Sequence, residues 1–159
     1  MMLLIDSGNS HIKWAFADPR EPVSEQGRLP TQQADLFRSL LDAWQECDSP
    51  HKVVVANVAG RQVAEEISRT VTELWQLDAE YPVSTSSFCG VENGYRKPEQ
   101  LGVDRLLGML AAFRFTQGAV IVIDCGTAVT IDQVDGNGRF LGGVILPGVR
   151  LARKSLATE

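Results

Sequence analysis

The sequence predicts an α/β protein made of two related halves, each a mixed sheet flanked by helices. Three observations predict it. The pentapeptide Asp6-Ser7-Gly8-Asn9-Ser10 reappears as Asp124-Cys125-Gly126-Thr127-Ala128. Each copy follows an apolar run, Met2-Leu3-Leu4-Ile5 in the first and Ala119-Val120-Ile121-Val122-Ile123 in the second, so both read as buried strands ending in a carboxylate and a Gly turn. Between the copies, strand-like stretches alternate with amphipathic helical ones.

After the first turn, Ile12 to Phe16 continues as a second strand, and Val23 to Leu29, beyond a corner at Pro19 and Pro22, is a third; together they form a meander. Thr31 starts a helix whose apolar positions Leu36, Phe37, Leu40, Leu41 and Trp44 lie on one stripe and which ends before Asp48-Ser49-Pro50. Val53 to Ala56 is a short buried strand, followed by a helix with Val63, Ile67, Val71, Leu74 and Trp75 in register. The segment from Tyr81 to Gly94 is rich in Ser, Pro and Gly, which marks a loop and a division of the chain into residues 1–90 and 91–159. Gln100 to Phe115 reads as a helix with apolar residues nearly all round. Such a helix is expected to be buried, which makes Asp104-Arg105 near its start conspicuous. Past the second turn, Val129 to Val134 and Phe140 to Ile145 pair across Asp135-Gly136-Asn137-Gly138, and Pro147-Gly148 opens a final helix running to the chain end. The Gly-Asn-Gly-Arg string from Gly136 lacks the strand-turn-helix setting of a dinucleotide fingerprint.

Composition narrows the function classes. At 159 residues, 44% hydrophobic and 22% charged, the chain can bury a core as one domain or two small ones. A net charge of -5 and the short basic stretch Arg150 to Lys154 argue against a nucleic-acid surface. No apolar run reaches the roughly 18 residues of a membrane span, and Met1 to Asp6 has neither a basic region nor a cleavage site, so no membrane partner and a cytoplasmic location are expected. Cys47, Cys89 and Cys125 are widely spaced, and His11 and His51 are isolated, so neither a disulfide framework nor a zinc site is indicated. Cys125 has no paired His and reads as a small filler rather than a nucleophile.

The repeated turn has the composition of a phosphate site. Gly removes the Cβ that would hold the backbone away from a bulky anion, and it permits a positive φ that turns successive N–H groups toward phosphates. Asp6 can hold a hydrated Mg²⁺ that bridges those phosphates, while Asn9, Ser10 and Thr127 can donate side-chain hydrogen bonds to their oxygens. One copy alone also reads as an ordinary hairpin turn; the same Asp-x-Gly-polar order behind two strands favours two turns facing each other across a nucleotide.

The paired turns and the strand-helix order resemble the actin, hexokinase and Hsp70 superfamily, in which two ribonuclease H-like halves grip a nucleotide. The resemblance narrows at five motifs: Asp6-Ser7-Gly8-Asn9-Ser10, Asn93-Gly94-Tyr95, Gly102-Val103-Asp104-Arg105, Asp124-Cys125-Gly126-Thr127-Ala128 and Gly142-Gly143-Val144-Ile145-Leu146-Pro147-Gly148. Their order and spacing are similar to those of type III pantothenate kinase, a family that also includes proteins named Bvg accessory factors. That family's chain continues well beyond residue 159, so the resemblance implies an incomplete second half with an unpaired sheet edge and exposed apolar surface.

The resemblance implies ATP-dependent phosphorylation of pantothenate, the first step of coenzyme A biosynthesis. Asp104 would be the proton acceptor, the other reading of it being an ion pair with Arg105 or Arg114 or a helix-start interaction. Pantothenate would lie on Tyr95, Gly102, Val103, Asp104 and Arg105, with Tyr95 read equally well as a solvated loop residue. Arg105 offers a fork of donors suited to the substrate's carboxylate or hydroxyls. ATP would lie on Asp6, Ser7, Gly8, Asn9, Ser10, His11, Ile12 and Lys13, with Thr127 on its phosphates; Lys13 either neutralises phosphate charge or points to solvent. Asp124 would bind a monovalent cation, K⁺ or ammonium, and the protein would be a homodimer. A nucleotide-binding regulatory protein without turnover, and a kinase of the same superfamily for another small hydroxyl or acid substrate, are the competing readings.

Overall fold

The computed structural model describes residues 1–18, 20, 23 and 26–157. The chain divides into two compact units, Met1–Pro82 and Val83–Glu159.

The first unit is a five-stranded mixed sheet with two helices. Strands β1 (Met2–Ser7), β2 (His11–Ala17), β4 (Lys52–Asn57), β3 (Gly27–Pro30) and β5 (Ala79–Glu80) stand in the order β3-β2-β1-β4-β5. The meander β1-β2-β3 is antiparallel, whereas β1 pairs β4, and β4 pairs β5, in parallel. Parallel neighbours need crossover connections, and these are helices α1 (Leu36–Trp44) and α2 (Arg61–Trp75). Strand alternation sends Leu3 and Ile5 of β1 and Val53 and Val55 of β4 into a core with Leu40 and Trp44 of α1 and Ile67 and Val71 of α2, all buried. Each such side chain contributes roughly 1.5–3 kcal/mol by leaving water. Trp44 stacks on Trp75 with centroids 6.0 Å apart, and Trp14 meets Trp44 edge-on at 5.7 Å.

Two sequence expectations change here. The first helix starts at Leu36, not Thr31. Thr31 is tied to the first turn instead: its N–H donates to the Ser10 carbonyl at 3.0 Å and its hydroxyl to the Gly8 carbonyl at 2.6 Å. The helix is then capped by Asp35, whose carboxylate accepts from the Arg38 N–H at 2.9 Å. The third strand is shorter than expected, Gly27–Pro30; Pro19, Pro22, Ser24 and Glu25 lie outside the described residues.

The second unit carries the strands β8 (Val120–Cys125), β9 (Ala128–Val134) and β10 (Phe140–Pro147) as an antiparallel meander in the order β10-β9-β8. Helix α3 (Val103–Thr116) packs on β8 and β9, and α4 (Val149–Leu156) follows β10. Thr158 and Glu159, where the last helix was expected to end, lie outside the described residues. The 81–94 segment is not simply a loop: it contains the hairpin β6 (Ser87–Phe88) and β7 (Val91–Glu92), turned by Cys89 at φ 48 and Gly90 at φ 92. Two consecutive positive φ values match the right-handed twist of a two-residue hairpin.

The two meanders correspond, with β8-β9-β10 repeating β1-β2-β3 and a helix following each. They differ at one edge. Strand β1 has β2 on one side and β4 on the other, whereas β8 pairs only with β9 among the described residues. The burial expected of β8 and α3 is therefore met only in part, and the unpaired sheet edge and exposed apolar surface that the resemblance implied are present among the described residues. Ile121 and Ile123 of β8 are each 60% exposed, Phe115 of α3 is 91% exposed, and α4 has no buried residue. The core of this unit gathers Val91, Leu101, Leu106, Met109, Val134 and Phe140 on one face of the sheet only.

Candidate functional site

The first turn is a tight hairpin connection. Ser7 pairs Ile12 across β1 and β2, and the Gly8 N–H donates to the His11 carbonyl at 3.0 Å. A Cβ on Gly8 would lie 3.3 Å from that carbonyl oxygen, so close approach rather than conformation is what a side chain would disturb. The expected positive φ is absent at Gly8 and at Gly126; among the described residues the positive-φ glycines are Gly60, Gly90, Gly138 and Gly142. Asn9 is exposed at the tip, and Ser10 and His11 are half-buried. Ile12 is fully buried in the core, so its contribution to any ligand is through its backbone. Asp6 and Lys13 face each other in the ladder with the ammonium 3.6 Å from the carboxylate, both about half exposed. The Ser7 hydroxyl is buried without a hydrogen-bond partner among the described residues. Beside the turn opens a cleft of about 400 Å³ lined by Asn9, Thr31, Gln33, Phe37, Gln62 and Arg69, with the Arg69 guanidinium 3.8 Å over the Phe37 ring.

The second turn joins β8 to β9. The Gly126 N–H donates to the Ala128 carbonyl at 2.9 Å, and Asp124, Cys125, Gly126 and Thr127 are all exposed. Gly148, at the far end of β10, explains the close of the glycine-rich motif. Its N–H donates to the Thr127 carbonyl at 3.0 Å, and any Cβ there would collide with the carbonyl oxygens of Gly126 and Thr127. The turn is thus braced from behind by a glycine that no larger residue could replace without moving it.

A third cluster, also in the second unit, brings together residues that stand far apart in sequence. Asn93 organises the local loop: its side-chain amide donates to the carbonyls of Thr85 and Pro98, and its Oδ1 accepts from the Tyr95 N–H at 3.0 Å. Gly94 lies against the Phe140 carbonyl, with no room for a Cβ. That approach lays the Tyr95 ring on the Phe140 ring, centroids 5.9 Å apart and planes within 7°. Gly102 is the N-cap of α3 and Val103 its first, buried residue.

Asp104 and Arg105 then part company. Val103, Arg105, Leu106 and Met109 form the buried stripe of α3, while Asp104 lies off it and is exposed, correcting the expectation of a buried Asp104. Its Oδ1 accepts from the Arg105 backbone N–H at 2.8 Å, a helix-start interaction. Arg105 reaches inward and grips Asp132 of β9, Nε to Oδ2 at 3.0 Å and Nη2 to Oδ1, and its Nη1 donates to the Tyr95 hydroxyl at 3.3 Å. The pair is enclosed, Arg105 at 9% and Asp132 at 1% exposure. Hydrogen bonding to Asp132 holds the guanidinium pKa well above its ordinary value. Gly143 of β10 makes the pair possible, because a Cβ there would overlap the Asp132 carboxylate and crowd Arg105 Nη2.

Asp132 escaped sequence reasoning, which treated Val129 to Val134 only as half of a hairpin. The available signal was an Asp between the β-branched Val129, Thr130 and Ile131 and Val134 of a predicted strand, where Asp is depleted. Among the described residues no three His, Cys, Asp or Glu side chains converge as a metal site, and no helix is long and apolar enough to cross a membrane.

The sequence profile of the type III pantothenate kinase family matches residues 2–159. A relative from Nitrosococcus oceani named type III pantothenate kinase is 40% identical over 162 residues, covering 99% of this chain and 60% of its own. One of the same name from Janthinobacterium sp. is 38% identical over 165 residues, covering 99% and 63%. The chain therefore spans about three fifths of the length of these curated relatives. Among solved structures, a proposed 2-dehydro-3-deoxygalactonokinase from Sinorhizobium meliloti superposes with a TM-score of 0.55 at 16% identity, covering 99% of this chain and 56% of that one. At that identity the likeness shows the fold, the mixed α/β ribonuclease H-like type.

Proposed function

This chain belongs to the type III pantothenate kinase family, and from that premise we propose that the protein transfers the γ-phosphoryl group of ATP to the primary hydroxyl of pantothenate, opening coenzyme A biosynthesis. The observation that carries the reading is an exposed Asp104 next in sequence to the Arg105–Tyr95 cluster. It puts a water-accessible carboxylate next in sequence to Arg105, a residue that this reading gives to the substrate side.

In the proposed reaction the pantothenate hydroxyl oxygen attacks the γ-phosphorus, the bond from that phosphorus to the ADP oxygen breaks, and the hydroxyl proton passes to the Asp104 carboxylate. Such a positioned base is worth about 10²–10⁴ in rate. Tyr95, Gly102 and Val103 form the pantothenate side, and Arg105 joins it through the Tyr95 hydroxyl to which it donates. In the first unit Asp6 to Lys13 take phosphate oxygens of ATP through the turn's N–H groups, Asn9, Ser10 and Lys13; in the second unit Thr127 does so.

Two cations enter the proposal. Mg²⁺ keeps most of its waters and asks for one or two carboxylates plus phosphates. Asp6 fits that demand, being half exposed and paired with a lysine that can turn to phosphate. Asp124, exposed at the end of β8 where the second turn begins, is a fitting oxygen ligand for K⁺ or ammonium. These cations would neutralise phosphate charge that the chain's own lysine and amide donors also meet. A homodimer is proposed with them, and the exposed apolar residues of α3 and β8 are compatible with it.

Asp104→Asn tests the reading. It is expected to abolish pantothenate-dependent ADP formation while calorimetric pantothenate binding persists; ADP formation at the unaltered rate would remove Asp104 as the base.

A further inference from the structure

We infer that Asp132 is a positioning residue which, through Arg105, sets the Tyr95 hydroxyl as an outward hydrogen-bond donor to an acceptor oxygen of the substrate, carbonyl or carboxylate. The inference rests on the reading that Tyr95 touches pantothenate.

A guanidinium has five N–H donors and no acceptor. At the 3.3 Å contact between Arg105 Nη1 and Tyr95 Oη, the tyrosine oxygen is therefore the acceptor, and its own proton must point elsewhere. A phenol ordinarily turns its O–H to either role. Here the oxygen accepts from Arg105, which turns the O–H away from the guanidinium and frees it to donate on the other side.

The rest of the cluster removes the other freedoms. Stacking on Phe140 fixes the plane of the Tyr95 ring, and the Asn93 carboxamide oxygen holds the Tyr95 N–H. Asp132 binds Nε and Nη2 together, so the planar guanidinium cannot rotate and only its Nη1 edge reaches the tyrosine. Gly143 keeps the space that this arrangement needs.

Stability alone is a poor account of the pair. A buried ion pair is often no more stabilising than apolar residues of the same volume, yet this one is enclosed, bidentate and aimed with a further donor at a residue of the substrate motif. A neutral core would pack α3 on β9 as well and would leave the Tyr95 hydroxyl free to face either way.

The test is a coupling measurement on the protein, with calorimetric dissociation constants for pantothenate and for ATP. Tyr95→Phe and Asp132→Asn are each expected to weaken pantothenate about tenfold, the cost of one well-placed hydrogen bond, with ATP affinity unchanged. The double variant is expected to bind no more weakly than Tyr95→Phe alone. Because Asp132→Asn strands a buried guanidinium, the paired replacement Arg105→Met with Asp132→Leu is the second arm; it keeps an apolar core and is expected to give the same tenfold loss, absent in the Tyr95→Phe background. Unchanged pantothenate affinity in the paired variant, losses that multiply with Tyr95→Phe, or equal losses for ATP and pantothenate would each overturn the inference. A wild-type protein that does not bind pantothenate, or a Tyr95→Phe variant that binds it undiminished, would instead overturn the reading beneath it.

Discussion

The Arg105 guanidinium spends two donors on the Asp132 carboxylate and a third on the Tyr95 hydroxyl, tying helix α3, strand β9 and the Asn93-Gly94-Tyr95 loop into one cluster. Gly143 sits against that pair from β10 with no space for a side chain. Gly143→Ala is therefore expected to destabilise the protein by about 2–4 kcal/mol, through overpacking and a displaced buried charge. Urea denaturation checks it, with a lowered midpoint at constant slope as the expected result; a midpoint equal to wild type would show that the pair yields to a methyl group.

The Thr31 hydroxyl holds the Gly8 carbonyl from the start of the α1 approach, at 2.6 Å. Thr31→Val keeps the shape and removes the donor, which is expected to cost about 1 kcal/mol of stability. ATP affinity, read by calorimetry, is expected to fall several-fold because the first turn loses its brace. Pantothenate affinity is expected to stay as it was.

Gly148 supports the second turn through the Thr127 carbonyl and leaves no room for a Cβ against Gly126 and Thr127. Gly148→Ala is expected to push the turn outward, with a stability loss of about 1–3 kcal/mol and weaker ATP binding. Backbone hydrogen exchange at Gly126, whose N–H is bonded to the Ala128 carbonyl, should quicken relative to the β9 centre.

Asp124 is exposed at the end of β8, so Asp124→Ala is expected to leave the unfolding free energy almost unaltered, within about 0.5 kcal/mol. The proposed cation role is expected to show instead as loss of the stimulation of ADP release by K⁺ or ammonium. Retained stimulation would place the cation elsewhere.

Much of the fold was legible because it rests on local periodicity. The strands β1, β2, β4, β9 and β10 and the helix α2 follow from alternation and from the 3.6-residue stripe, and the Asp135 to Gly138 turn from its own chemistry. What escaped depended on contacts between distant residues. Nothing near Thr31 in sequence announces its bonds to Gly8 and Ser10, so the helix was begun too early. The glycines of both turns were assigned a conformational role, whereas Gly8 is limited by the His11 carbonyl. Asp104 and Arg105 were noticed together, yet adjacent helical positions point about 100° apart: Arg105 fell on the buried stripe and Asp104 outside it. The partner that makes burial of Arg105 tolerable, Asp132, lies on another strand and showed no periodic signal of its own. The apolar character of β8 by itself read as burial, whereas among the described residues one of its edges is unpaired and Ile121 and Ile123 are exposed, as the family resemblance but not the periodicity implied.

The most direct test of the proposed kinase reaction is ADP release by the protein with Mg²⁺, measured with pantothenate present or withheld and with K⁺ or ammonium present or withheld. Release is expected to need pantothenate, to rise with the monovalent cation and to disappear in Asp104→Asn. ADP release that is indifferent to pantothenate, or that another small hydroxyl substrate supports while pantothenate does not, would contradict it.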